Sequence, residues 1–378
     1  MNKLKLVLGL MTTVMALPAV QSAPVASAPA PARLLRHPSY YEGQVAFGYL
    51  GDLWIAREDG SGVRRLTDHK ARDVYPRFSP DGRWIAFSSS REGNYDVYVI
   101  PVEGGKPRRL TFHSADDLVV NWSPDGRQIL FQSTRGQGVF PTVATLWEIS
   151  AEGGMEQPIP TDWGSWASYS PDGSKLAFTR HPGVWSRKHY RGSYAVDLWL
   201  MEVNTKKFTQ LGDDDYKGNY LWPMYGRGGQ IYFVADRLPK EKSLKFGGPE
   251  VMKSVNNIWK IPERGGRPVP VTHHTEGSLF FPSLSADGQT IVYEGNFGLW
   301  KLDLASGKST EIRVQIASDV KDNEIELRTL QSEAEDFSLS PSNKRAAIAT
   351  HGEIWTIATD RGDVQRVTET AWRERDPR

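Results

Sequence analysis

The sequence predicts an all-β protein: a six-bladed β-propeller of four-stranded antiparallel blades, followed by a partial blade of a second propeller. Three observations predict it. A unit recurs seven times, made of a turn resembling Ser-Pro-Asp-Gly, an apolar strand, a short gap and a second strand holding an aromatic residue. The clean turn glycines Gly82, Gly126 and Gly173 are spaced 44 and then 47 residues apart. The units carry strand patterning and no helical period, and a fixed repeat of that length built from strands gives radially arranged four-stranded sheets.

The clearest copies are Phe78-Ser79-Pro80-Asp81-Gly82 ahead of Trp84-Ile85-Ala86-Phe87, Trp122 to Gly126 ahead of Ile129-Leu130-Phe131, and Tyr169 to Gly173 ahead of Leu176-Ala177-Phe178. Leu284-Ser285-Ala286-Asp287-Gly288 is slightly worn, and Tyr225 to Gly229 and Leu339 to Asn343 are degraded. In the turn, Pro80 presets φ near −65°, Asp81 bonds nearby backbone and Gly82 takes the left-handed conformation. The third strand of each unit carries Trp54, Tyr98, Trp147, Trp199, Trp259, Trp300 or Trp355. These aromatics are read as packing between blades, each burying roughly 150–250 Å², rather than as stacking on a ligand. Asp52, Asp96 and Asp197 are read as hydrogen-bond acceptors at turns or strand edges rather than as catalytic acids.

Counting units sets the boundaries. Pro38-Ser39-Tyr40 followed by Gly43 lines up with Pro76-Arg77-Phe78 followed by Gly82, with two turn residues deleted, so the first blade owns its inner strand. The other inner strands fall near 76, 120, 167, 222 and 281. The expected organisation is a signal peptide at 1–23, an Ala/Pro linker at 24–33, a six-bladed propeller at 34–314, a charged connector at 315–332 and the first blade of an incomplete second propeller at 333–378. Arg375-Asp376-Pro377-Arg378 resembles the Asp73 to Arg77 lead-in to a Ser-Pro-Asp-Gly strand, which predicts that the repeat continues in a longer parent chain.

Composition excludes several functions. The 46 Lys and Arg nearly balance the 45 Asp and Glu among 378 residues, so no global field draws the chain to nucleic acid or an anionic membrane. With no Cys there is no disulfide, thiolate metal site or Cys nucleophile. Lys3 and Lys5, the apolar run Leu6 to Leu17 and the small residues after it read as a secretory signal. The run is too short for a bilayer span of about 20 residues. Export to a periplasm is therefore expected, with no membrane span after signal removal; if the segment is not used, the protein is cytoplasmic.

Motifs for chemistry are scarce. No Gly-x-Ser-x-Gly, His-Glu-x-x-His, P-loop or Gly-x-Gly-x-x-Gly pattern occurs. Asp213-Asp214-Asp215 with Gly218 looks superficially like a calcium loop, but Lys217 and Met224 occupy ligand positions. No metal and no cofactor are expected. The largest irregularity is the insertion from Arg180 to Tyr194. Its residues Arg187, Lys188, His189, Tyr190 and Arg191 form a cationic and aromatic group on a hairpin that the blade does not need, and they are the candidates for binding a peptide carboxylate or a partner domain. The alternative is an ordinary solvated loop. A second insertion, Leu238 to Ser254, carries Lys240, Lys242 and Lys245.

Beyond its repeats, the chain resembles the tricorn protease family of large serine peptidases. His37-Pro38 with Gly51-Asp52-Leu53-Trp54 looks like that family's opening blade, His189-Tyr190-Arg191-Gly192 to Leu198-Trp199 like its fourth, and Glu335-Asp336-Phe337-Ser338-Leu339-Ser340-Pro341 like the start of its second propeller. The resemblance implies a six-bladed and a seven-bladed propeller ahead of a catalytic region. The family's catalytic Ser and His lie beyond residue 378, so no catalytic residue is carried over. Where the family can hold a substrate carboxylate with an Arg pair ahead of the third inner strand, this chain departs with Ser114-Ala115-Asp116-Asp117. The implied partners are peptides or the rest of a tricorn-like protease, with self-association into a homo-oligomer left open. Two other readings compete: a TolB-like periplasmic protein-binding propeller, and a propeller enzyme with its site in the central channel. The second needs carboxylates or His at inner-strand starts, which hold Arg77, Asn121, Ser168 and Ser283.

Overall fold

The computed structural model describes residues 31–135, 143–181, 187–190, 192–212, 216, 218–238, 248–249, 253–317, 332–362, 364–368, 370 and 372–378. The expected signal segment, linker residues 24–30 and most of the expected connector fall outside the described residues.

Seven four-stranded antiparallel sheets follow one another, each built from four consecutive strands. The first comprises Arg36–Tyr41, Gln44–Tyr49, Asp52–Arg57 and Arg64–Arg65, with no strand lent by another sheet. The later inner strands are Asp73–Phe78, Asp117–Trp122, Ser165–Tyr169, Leu221–Tyr225, Leu279–Leu284 and Ala334–Leu339. The seventh unit, expected as a partial blade, is a complete sheet that ends on Val364–Arg366. Its edge is finished because Val364, Gln365 and Arg366 pair with Ile357, Thr356 and Trp355.

The turns show why the repeat is legible. The Gly82 N–H donates to the Ser79 carbonyl at 2.9 Å, the Ser79 N–H donates to the Trp84 carbonyl at 2.8 Å, and Gly82 sits at φ +70°. A tight turn closed by one left-handed residue is the geometry that joins two twisted strands through a short loop. The serine matters more than its turn propensity suggests. The Ser79 hydroxyl donates to Asp81 Oδ1 at 2.6 Å while accepting the Trp84 N–H at 3.0 Å. Ser123, Ser170 and Ser285 repeat the arrangement. The degraded fifth unit replaces it with a short 3₁₀ turn at Arg227–Gly229, and in the seventh Asn343 takes the left-handed position at φ +55°.

Apolar side chains gather between sheets rather than within them. Ile55 and Leu66 pack with Phe78 and Phe87, Val97 and Val99 with Val119 and Phe131, and Val120 and Leu146 with Leu176 and Phe178. Leu198 and Leu211 pack with Tyr220 and Phe233, and Leu221 and Ile258 with Phe281 and Tyr293. A sixth cluster joins Phe47 and Trp54 of the first sheet to Val292, Leu299 and Ile312 of the sixth. Backbone reinforces that last contact, with the Ala32 N–H on the Val314 carbonyl and the Leu34 N–H on Phe297, both at 2.8 Å.

Six of the seven third-strand aromatics lie in these clusters, as their reading as inter-blade packing requires, and several also carry a guanidinium; Trp355 of the seventh sheet lies in none of them. Arg65 stacks on Trp54, Arg91 on Tyr98 and Arg135 on Trp147, each 4.9 Å from the ring centre. The acids beside them are ion-pair partners: Asp73 with Arg91 at 2.9 Å, Asp96 with Arg109 at 2.7 Å, and Asp117 with Arg135.

Candidate functional site

The first six inner strands line one cavity, and their sequences decide its chemistry. Ahead of the turn serine, the second strand reads Tyr75-Pro76-Arg77-Phe78. The same positions hold His37-Pro38-Ser39-Tyr40, Val119-Val120-Asn121-Trp122, Trp166-Ala167-Ser168-Tyr169, Trp222-Pro223-Met224-Tyr225 and Phe281-Pro282-Ser283-Leu284. Each strand slips register there, between Arg36 and Ser39, Val74 and Arg77, Ser165 and Ala167, Leu221 and Met224, or Phe280 and Ser283, and in the third opposite Leu130 and Phe131. Four slips contain a proline, which has no N–H for the ladder and is tolerated at a bulge.

At five slips the residue is left-handed: φ is +52° at His37, +54° at Tyr75, +41° at Trp166, +48° at Trp222 and +45° at Phe281. A bulky residue held there costs roughly 1–3 kcal/mol. What holds the five is that their rings meet. His37 lies 4.0 Å from Tyr75 and 4.7 Å from Phe281, Trp222 lies 4.8 Å from Phe281, and Tyr75 lies 5.4 Å from Trp166. Trp166 and Phe281, two sheets apart, are 6.1 Å apart. Tilted and edge-on contacts at these separations are the favourable geometries for aromatic pairs. Together the rings form a plug across the axis, which was not foreseen. The signal was present as an aromatic four places ahead of the turn in five units.

On the turn side of the plug lies a cup of about 220 Å³. Arg77, 6% exposed, stands in its wall. Its Nε donates to the Val120 carbonyl at 3.0 Å, and its Nη1 to the carbonyls of Pro76 at 3.0 Å and Pro38 at 3.5 Å. These carbonyls sit at the slips, so the bulges of three sheets converge on one guanidinium. Burial lowers its pKa to about 10, which leaves it charged at neutral pH. Among the described residues no carboxylate pairs with it. Burial, and then the positive charges of Arg36, Arg77 and Arg72, push the neighbouring His37 well below its usual value.

The insertion in the fourth sheet follows that sheet's second strand, at the end opposite the Ser-Pro-Asp-Gly turns, so it and the cup lie on opposite faces. Arg187 and Lys188 are exposed and border a small cavity with Asn219, Asp236 and Ser254. Arg187 lies 5.6 Å from the half-buried Tyr190 ring. His189 turns inward: its backbone N–H and Nδ1 lie 2.7 and 3.0 Å from Asp236 Oδ2. Tyr216 donates to Asp236 Oδ1 at 2.5 Å. Burial alone would raise the Asp236 pKa, but the hydrogen bonds from His189 and Tyr216 hold it below the usual value. Ser254 Oγ lies 3.5 Å from His189 Nδ1, the nitrogen Asp236 already holds. A serine triad needs Ser and Asp on opposite ring nitrogens, so this buried group anchors the loop. The structure therefore brings Arg187, Lys188 and Tyr190 to one edge and separates His189 from them. Arg191, Lys240, Lys242, Lys245 and the Asp213 to Asp215 run lie outside the described residues.

A family model described as the tricorn protease N-terminal beta propeller domain matches residues 32–308. A Streptomyces coelicolor protein named as tricorn protease homolog 2 is 26% identical over 353 residues, covering 89% of this chain and 28% of its own length. Tricorn protease homolog 1 of the same organism is 28% identical over 284 residues, covering 74% and 24%. The chain thus spans about a quarter of the length of these relatives. The crystal structure of the tricorn protease shares the fold with a TM-score of 0.61 at 21% identity, over 90% of this chain and 32% of that one. A TolB-type structure from Agrobacterium tumefaciens superposes with a TM-score of 0.52 at 20% identity, over 68% and 87%. With the family model matched over most of its length, the chain belongs to the tricorn protease N-terminal β-propeller family.

Proposed function

We propose that this chain is the non-catalytic propeller portion of an exported tricorn-like serine peptidase, with residues 34–314 as a six-bladed ring and 333–378 as the first blade of a second propeller. The observation that carries it is the cyclic set of cores: each of the first six sheets shares one with both neighbours, including the first with the sixth, and among the described residues the seventh enters none. In that seventh sheet Phe337 and Leu339 are exposed, and Trp372 beyond it is 81% exposed. Apolar faces of this kind ask for a neighbouring blade.

The role we assign to the ring is to position peptides or product ends for a peptidase site elsewhere, with Arg187 and Lys188 as a contact for peptide or partner on the face away from the cup. A TolB-like protein-binding propeller is the second reading, supported by the likeness to the TolB-type fold. Purified residues 24–378 should leave fluorogenic peptides intact. Turnover that scales with protein and survives repurification overturns the non-catalytic assignment. A folded partner held with no affinity for extended peptides favours the second reading.

A further inference from the structure

We infer that the axial cup is a blind binding site for a single carboxylate, entered from the turn face and anchored by Arg77. The argument begins with donors and acceptors. Arg77 spends Nε and Nη1 on three carbonyls, and its Nη2 donates to no protein group among the described residues. The Ser39 and Ser168 hydroxyls accept the Phe78 and Tyr225 N–H groups at 3.1 and 3.0 Å, which leaves their own O–H groups to donate. The Asn121 carbonyl oxygen accepts the Trp122 N–H at 2.9 Å, which leaves its NH₂. Ser283 completes the layer. This layer around the cup thus carries a full positive charge and four neutral donors, and among the described residues no acid pairs with Arg77. A buried cation is stable only when paired or well hydrogen-bonded; here hydrogen bonds are supplied by the protein and the countercharge is left to a ligand. A second sign points the same way. Trp222, which lines the cup, and His37, beside it in the plug, each keep a buried ring nitrogen with no partner.

Charge at the mouth selects the kind of anion. Asp81, Asp125 and Asp172 stand on the turns around the opening, and hydrogen bonds from the turn serines hold all three below the usual carboxylate range. That acidic rim repels dianions and polyanions, whereas the wall holds one cation, Arg77. A monoanionic carboxylate on an uncharged or cationic chain suits both, and inorganic phosphate does not. The plug closes the far end, so an end group docks and cannot thread through.

The test titrates N-acetyl-alanyl-alanine, its C-terminal amide and inorganic phosphate into the unmodified chain by isothermal calorimetry. The acid should bind saturably, and the amide and phosphate should bind at least tenfold more weakly. Arg77→Lys should weaken the acid about tenfold, and Arg77→Gln should abolish its binding. If Arg77→Gln fails to fold, the acid-against-amide comparison on the unmodified chain decides alone. Equal binding of acid and amide, a preference for phosphate, or no response to the acid overturns the inference. The site deepens the proposed role in holding peptide ends, yet the two fail separately: loss of carboxylate binding leaves the peptidase assignment standing, and peptide turnover by the chain leaves the cup standing.

Discussion

His37 carries a pH dependence that its neighbours dictate. It is buried among Tyr75 and Phe281, with Arg36, Arg77 and Arg72 close enough to oppose a further positive charge. In the folded protein it stays neutral well below its ordinary pKa, whereas in the unfolded chain it takes up a proton below about pH 6.5. The unfolded state then binds the extra proton, so stability falls as pH drops below about 6.5, by up to ~1.4 kcal/mol per unit, until the folded-state pKa is reached. Urea unfolding between pH 7.5 and 5 should show this slope in the native chain and one proton less of it in His37→Phe. Parallel curves for the two proteins would disprove the assignment.

Among the elements, the Ser-Pro-Asp-Gly turn was legible because its causes are local. Proline fixes one angle, glycine supplies another, and both act within four residues. The same turn still differs from blade to blade. A Cβ on Gly82 would collide with the Tyr41 ring, while one on Gly126 would meet only Pro80, at 3.5 Å. Gly126→Ala should therefore cost ~1–2 kcal/mol for its left-handed backbone, and Gly82→Ala a further ~1–3 kcal/mol for the clash. Denaturant midpoints compare the two directly, and equal losses would contradict the packing described. The inner-strand slips were not legible in the same way. A register slip belongs to a pair of strands, and local preference argues against left-handed Trp, Tyr and Phe. The loop at Arg187 to Arg191 shows the same limit. Its charge could be read from composition, but the inward turn of His189 depends on Asp236, 47 residues later in the next sheet.

For the whole molecule, a run of repeated four-stranded antiparallel sheets followed from counting turns, while the plugged axis did not, because it arises only when the inner strands are together. That closure changes how the molecule should come apart. Repeat arrays in which each unit touches only its neighbours unfold piecemeal, since their energetics are a sum of adjacent terms. Here Tyr75 reaches Trp166 at 5.4 Å and Phe281 at 5.9 Å, so the second, fourth and sixth sheets touch one another directly. The plug turns a circular chain of pairs into a hub with spokes, and losing one spoke loosens contacts on the far side. Calorimetry should accordingly find the first six sheets melting in a single transition with equal van't Hoff and calorimetric enthalpies, and the seventh melting apart at lower temperature; replacing both Trp166 and Phe281 with Leu should split the main transition. A protein assembled from near-copies of one unit would then owe its cooperativity to the five residues whose backbones least resemble an ordinary strand.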